Sequence, residues 1–322
     1  MQKNKYIYTF SYDNPESDLC KLESRCIFNK EEKNKLLFSN IKAEPSSSAF
    51  IKKRLDIILF SEDYDSLITE IKKLSICAEG FKVEYIVFDG DSTKYALRLE
   101  KLRDIGYSIE GDSDYYNPTI TYALCLYEGI WYFGELIKDN FDWFKHKKKP
   151  FSYSNSISVN IAKALVNIAA KGDKEKKLLD ACCGVGTILL EASFSGNNIE
   201  GSDINEKICK DAKGNLSHFN YSANVYHSDI KDISKKYDAA IIDLPYNLLS
   251  AATDSDILNI IGSTAEITDR LVIVSIADIA NLISESGLKI SDYCSVSKSG
   301  KRKFARKIWI CEKNGQDSKQ KI

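Results

Sequence analysis

The chain has almost no net charge, no Cys-x-x-Cys pair, no internal repeat and no apolar run long enough to span a bilayer. Each absence removes a class of function. With 45 Lys and Arg against 46 Asp and Glu and a pI of about 6.4, the molecule has no global field to draw in nucleic acid. Any RNA contact must come from local basic clusters. The nine cysteines are an odd number scattered along the chain, which argues against a disulfide framework or a zinc site and fits a reducing cytoplasm. The opening MQKNKYIYTFSY lacks the apolar core of a signal peptide, so neither export nor a membrane partner is expected. Nothing in the sequence sets an oligomeric state. The 322 residues are enough for about two or three domains with real cores.

What is present is an alternation of strand and helix patterns. Tyr6–Phe10 alternates as a strand and Leu19–Phe28 has helical spacing. Beyond a loop holding Pro45, Leu55–Phe60 reads as a strand, Leu67, Ile68, Ile71 and Leu74 share a helix face, and Phe81–Phe88 returns as a strand. Ser92 is placed to cap a helix bearing Tyr95, Leu99 and Leu102. Ile120–Tyr127 and Ile130–Ile137 then flank Glu128-Gly129 as a hairpin. The first half is therefore α+β. The basic run His146–Lys149, ending at Pro150, reads either as a solvated linker or as a phosphate contact. A helix with Ile161, Ala164, Leu165 and Ile168 on one face follows it.

The second half is organised around LLDACCGVGTILLEA, Leu178–Ala192. An apolar strand ends in Asp180, glycines follow at Gly184 and Gly186, and an apolar segment of helical length resumes over Ile188–Ala192. Such a turn lets backbone approach a ligand and presents free N–H groups. A dinucleotide fingerprint would need a third glycine where Leu189 stands, so that reading fails. The pattern of an acid, three residues, Gly, one residue and Gly matches the first motif of S-adenosylmethionine (SAM) methyltransferases. A glycine-containing strand-to-helix turn of another α/β protein is its bland alternative. The adjacent Cys182-Cys183 reads as packing rather than catalysis.

Three further strands end in acids. Asn198–Gly201 leads to Asp203, where a carboxylate can accept both hydroxyls of a ribose, with Asn205 capping the next helix. Val225-Tyr226 leads to Asp229, suited to an adenine amine or to a simple turn cap. Ala239–Ile242 runs into Asp243-Leu244-Pro245-Tyr246-Asn247. An acid, a proline carbonyl and an aromatic plate at a strand end are what an exocyclic amine on a flat base requires. Leu248–Asp256 reads as a loop before a helix, Leu271–Val274 as the fifth strand, and Lys289–Val296 with Lys307–Cys311 as an antiparallel pair. Their connection, Lys298–Arg306, is the most basic segment and a second candidate for phosphate.

NPTITYALCLYEGIWYFGELI, with the preceding FKVEYIVF, resembles a THUMP domain, a module of RNA-modifying enzymes. LLDACCGVGTILLEA, GSDIN, HSDI and DLPYN together resemble the catalytic domain of THUMP-containing tRNA guanosine-N2 methyltransferases. The resemblance implies an α/β protein: a Rossmann-like, seven-stranded class I methyltransferase domain over 156–313 and an N-terminal α+β region, ferredoxin-like plus THUMP, over 1–145. Between them would lie a linker at 146–155, and 314–322 would be a polar tail. It implies SAM as cofactor, tRNA or another structured RNA as partner, and no metal. Asp180, Cys182, Gly184, Gly186 and Thr187 would shape the methionine end of the SAM site. Asp203 would hold the ribose and Asp229 with Ile230 the adenine, with Ile204 a further residue of the cofactor site. Asp243 and the Pro245 carbonyl would accept hydrogens from a guanine amine while Tyr246 stacks on the base. The family pattern is Asp-Pro-Pro-Tyr, and Leu244 replaces the first proline, which puts the rigidity of the turn in question. Adenine N6 methylation of RNA or DNA, and a non-catalytic SAM- and RNA-binding protein, are the alternatives.

Overall fold

The computed structural model describes residues 4–153, 156–244, 253–297 and 305–313. By internal contact the chain forms two compact units. One holds the residues up to Ser11, Glu32–Pro45 and Phe50–Asn140; the other holds Tyr12–Glu31, Ser46–Ala49 and everything from Phe141 on.

The elements in chain order are β1 (Tyr6–Phe10), α1 (Ser17–Phe28), β2 (Leu36–Ser39), β3 (Ile51–Ser61), α2 (Tyr64–Lys73), β4 (Phe81–Ile86), α3 (Tyr95–Gly106), β5 (Ile120–Tyr127) and β6 (Ile130–Lys138). In the first unit six strands form one sheet, β2-β1-β3-β6-β5-β4, antiparallel except for the β4 and β5 pair. Leu67 and Ile71 of α2 and Ile105 of α3 pack on one face against Tyr122, Leu124, Trp131 and Phe133. The other face buries Ile7, Leu55, Ile86 and Leu136. Glu128 and Gly129 both have positive φ, 49° and 80°, which is what a tight two-residue hairpin requires. The expected cap at Ser92 is not made. α3 starts at Tyr95 behind Lys94, because Asp91 already turns the chain by accepting from the Thr93 amide at 2.9 Å.

α1 forms where helical spacing predicts it and belongs to the second unit. Its apolar residues Leu19, Leu22, Ile27 and Phe28 are buried. Arg25 holds Asp292 with two bonds of 2.8 Å, and Glu23 accepts from Asn167 and Ser48, both at 2.7 Å. The chain thus visits the second unit before the first is finished, and a single cut near residue 146 does not separate the two.

The second unit continues with α4 (Val159–Ala170), β7 (Lys177–Asp180), α5 (Thr187–Phe194), β8 (Asn198–Asp203), α6 (Glu206–His218), β9 (Asn224–His227), β10 (Ala239–Asp243), α7 (Asp254–Ile267), β11 (Arg270–Ser275), α8 (Ala280–Glu285), β12 (Leu288–Ser297) and β13 (Ala305–Lys313). Seven strands make one sheet in the order β12-β13-β11-β10-β7-β8-β9. β7 to β11 run parallel, and β13 pairs antiparallel with both β11 and β12. This is the expected Rossmann-like arrangement. α7 and α8 bury Ile261, Ala265, Ile279 and Ile283 against Ala240, Ile242, Leu271 and Ile273. α7 begins three residues before the expected Ile257, because Thr253 and Asp256 form a capping box.

The basic run is not a solvated linker from its first residue. Asp142–Lys148 forms a 3-10 turn that buries Trp143 and His146, while Lys145, Lys147 and Lys148 stay exposed. The segment 298–304 lies outside the described residues.

Candidate active site

Strand order turns at β7, which has β8 on one side and β10 on the other. In an open α/β sheet the crevice beyond the carboxyl ends at such a reversal is where ligand binds. Register decides which side chains share it. Asp180 lies opposite Gly201 on β8 and Ile241 on β10. Side chains alternate between faces, so Asp203 and Asp243, each two residues further on, leave the sheet on the same face as Asp180. Three of the strand-end acids seen in the sequence are brought together this way.

Asp180 is 1% exposed, and neither of its oxygens has hydrogen-bond geometry to a partner among the described residues. Burial first, then the charges of Asp243 and Asp203, hold its carboxyl well above the usual range. Burial likewise pushes Asp243 up to about 7, with Arg306 opposing. Oδ1 of Asp243 is shut off from solvent and has no partner among the described residues.

The turn between β7 and α5 is held from below by its backbone. Cys183 N–H donates to Ser202 O at 2.9 Å and Gly186 N–H to Cys183 O at 2.8 Å. Gly184 has φ 51° and nothing within 4 Å of where a Cβ would stand, so the chain is open to a ligand there. Gly186, φ 79°, is the residue before α5 and has no side chain to cap it, which leaves the first N–H groups of Thr187 and its neighbours turned to the crevice end. Burial and nearby carboxylates push the Cys182 and Cys183 thiols above the usual range, so both behave as small apolar groups.

Asp203 ties the turn to β8: its Oδ2 accepts from Gly184 N–H at 3.0 Å and its Oδ1 from Asn205 N–H at 2.9 Å. Each oxygen keeps a second lone pair for a hydroxyl. Ile204 is 73% exposed, an apolar surface beside that carboxylate. Asp229 takes the capping role foreseen as its bland reading, accepting from Lys231 N–H at 3.2 Å. Ile230 is buried in the core under α7. Leu244 is 4% exposed and its N–H donates to Val274 O at 3.0 Å. A proline there has no N–H, so the leucine gains a bond to β11 that anchors the exit of β10. Pro245 and Tyr246 lie outside the described residues.

A second cluster was missed from the sequence. His146, Glu191 and Lys163 are all fully buried. Glu191 Oε1 lies 2.6 Å from His146 Nδ1 and Oε2 lies 3.4 Å from Lys163 Nζ. His146 Nε2 meets the Tyr221 hydroxyl at 3.1 Å. The network joins the 3-10 turn, α4, α5 and the segment after α6. The signal available was a charged residue inside each apolar helix, Lys163 in IAKAL and Glu191 in ILLEA.

A family described as "UPF0020: RMKL-like, methyltransferase domain" matches residues 146–259. A tRNA (guanine(10)-N2)-dimethyltransferase of Methanothermobacter thermautotrophicus is 35% identical over 121 residues, 36% of this chain and 35% of that protein. A "probable tRNA (guanine(10)-N2)-dimethyltransferase" of Methanothermococcus thermolithotrophicus is 31% identical over 130 residues, 36% of this chain and 78% of the relative. The chain belongs to the tRNA (guanine(10)-N2)-dimethyltransferase family. It spans about a third of the length of the Methanothermobacter member. Among solved structures, TrmN from Thermus thermophilus aligns over 96% of this chain and 99% of its own at 12% identity, with a TM-score of 0.47. Among the described residues no helix is long and apolar enough to cross a membrane, and no group of three or more His, Cys, Asp or Glu is placed to hold a metal ion.

Proposed function

We propose that this protein transfers a methyl group from SAM to the exocyclic N2 amine of a guanosine in tRNA. The observation that carries the reading is the pairing across the sheet reversal: an open glycine turn with buried Asp180 at the end of β7, and Asp243 Oδ1 at the end of β10 on the same face, neither carboxyl oxygen of Asp180 nor that Oδ1 having a hydrogen-bond partner among the described residues.

The residues fit the donor. Asp180 would accept from its ammonium group, the Gly184–Thr187 turn would take the methionine backbone, Asp203 the ribose hydroxyls, and Ile204, Asp229 and the backbone of Ile230 would border the adenine. When bound, SAM supplies an electrophilic methyl group. The acceptor amine is a weak nucleophile because its lone pair is delocalised into the ring. Asp243 would accept one N–H, as the Pro245 carbonyl would the other, aiming the lone pair along the transfer line and offsetting the positive charge that develops on nitrogen. Holding the partners in line contributes roughly 7–11 kcal/mol. The Asp243 carboxyl, at about 7, is suited to hold the proton the alkylated nitrogen sheds. Tyr246 would stack on a base taken out of its pair, at a cost of about a few kcal/mol that RNA contacts elsewhere offset. The first unit is the proposed THUMP-like RNA module. Its β5 and β6 hairpin carries the resemblance.

Incubation with labelled SAM and an unmodified tRNA transcript should place label in the RNA; absence of transfer under conditions where SAM binds contradicts the proposal. Asp203→Ala should weaken SAM binding by roughly 10- to 150-fold, the worth of hydrogen bonds to a charged group, while releasing the Gly184 amide. Unchanged calorimetric affinity would remove Asp203 from the ribose site. For the RNA side, Lys145, Lys147 and Lys148 changed together to Glu should lower tRNA affinity. The slope of log K against log salt should become shallower by about one unit per lost phosphate contact. An unaltered slope would place the RNA on another face.

A further inference from the structure

Asp180 is the one strand-end acid of the crevice whose whole carboxyl is sealed away. It is 1% exposed, and both oxygens lack a hydrogen-bond partner among the described residues. Asp203, on the same face, has both oxygens engaged by backbone amides. The charges that act on Asp180 from the packed elements are acids, Asp243 from β10 and Asp203 from β8, and the Cys182 backbone N–H, short of hydrogen-bond geometry, is the one group that opposes them. The turn behind it contributes the Cys182 and Cys183 thiols, and the Asp229 carboxyl beyond β9 acts on Cys182. Arg306 on β13 is a positive charge that acts on Asp243. An ionised carboxylate with only the Cys182 N–H to favour it, no solvent and two acids beside it is unfavourable, and taking up a proton relieves both the burial and the repulsion. Among interacting acids the last proton stays where solvation is poorest and the nearest cation furthest, which is Asp180 rather than Asp243.

We propose that Asp180 carries a proton in the ligand-free protein and gives it up when the cationic methyl donor enters, so that donor binding releases one proton and strengthens as pH rises. This rests on the reading of the crevice as a SAM site. The donor's ammonium group brings both things Asp180 lacks, a positive charge and N–H donors. Its arrival reverses the balance that kept the acid neutral. No other group need change its protonation, and the proton passes to the buffer.

Calorimetric titration of the full chain with SAM at pH 6.5, in phosphate and in imidazole, tests this directly. That pH lies below the usual range for an α-ammonium group, so the donor itself stays protonated. The difference in observed heat between buffers gives the protons exchanged. About one proton released is expected, together with an affinity that falls up to roughly tenfold per pH unit on acidification. Asp180→Asn should abolish the release and flatten the pH dependence, while Asp243→Asn should keep both. SAM binding with no buffer-dependent heat in the wild-type chain overturns the proposal and leaves the SAM site standing. Failure to bind SAM at any pH overturns both. Release retained in Asp180→Asn and lost in Asp243→Asn would reassign the proton and overturn it as well. If Asp180→Asn does not fold, Asp243→Asn decides: release kept in it supports Asp180 as the source, and release lost overturns the proposal.

Discussion

Asp243→Asn is expected to lower kcat for methyl transfer by about 10²- to 10³-fold, the scale for removing one preorganised electrostatic partner of a transition state, with SAM affinity nearly unchanged. The carboxylate and the carboxamide have the same shape. What the substitution removes is negative charge at the position where positive charge develops on the acceptor nitrogen. A pH signature accompanies it. Burial raises the Asp243 carboxyl to about 7, and the accepting form is the ionised one. The kcat/KM of the wild-type protein should therefore climb with pH through about 7 and level off above it, and the Asn variant should lose that limb. A variant that keeps full turnover, or loses turnover while keeping the limb, contradicts the role given to Asp243.

The second large effect is on stability. Glu191→Ala removes the carboxylate shared by His146 and Lys163 in a fully buried site and leaves the Lys163 ammonium there without that counter-charge. Breaking a buried ion pair from one side costs about 3–5 kcal/mol. For a unit of this size that corresponds to a Tm lower by roughly 10 °C. Replacing Glu191 and Lys163 together by Leu and Met should recover much of the loss, because the penalty comes from the stranded charge. Calorimetric scanning of the three proteins checks this; a Glu191→Ala melt within about 2 °C of wild type would show that the network is not what holds the 3-10 turn to α4 and α5.

The two expectations differ in how far the sequence anticipated them. Asp243 was legible because it ends an apolar run of strand length, and the same rule exposed Asp180 and Asp203. A strand-end acid is a local signal, and register then places the three on one face without further information. Gly184 and Gly186 were legible for the same reason, since the turn they form is local. The His146 network was not. Its members are 45 and 28 residues apart, and His146 stands beside three lysines that look like a solvated run. Only packing shows that His146 turns inward and Lys149 is half-buried while Lys147 and Lys148 remain in water.

α1 divides the same way. Spacing shows an apolar face over Leu19–Phe28 but cannot say what covers it, and its anchor Asp292 is 267 residues from Arg25. β2 escaped notice because LLFS is four residues long and is flanked by polar residues, so no alternation can develop. Leu244 looked like a lost proline and is instead a gained hydrogen bond. That follows only from knowing that β11 runs alongside.

Nucleoside analysis of a defined tRNA transcript after incubation with SAM and this protein tests the central claim most directly. The account predicts methylated guanosine modified on its N2 amine and no methyladenosine, with the product formed about 10²- to 10³-fold more slowly when Asp243→Asn replaces the wild-type protein. Methyl groups found on adenine N6, or tRNA left unmodified by a protein that binds SAM, would contradict it.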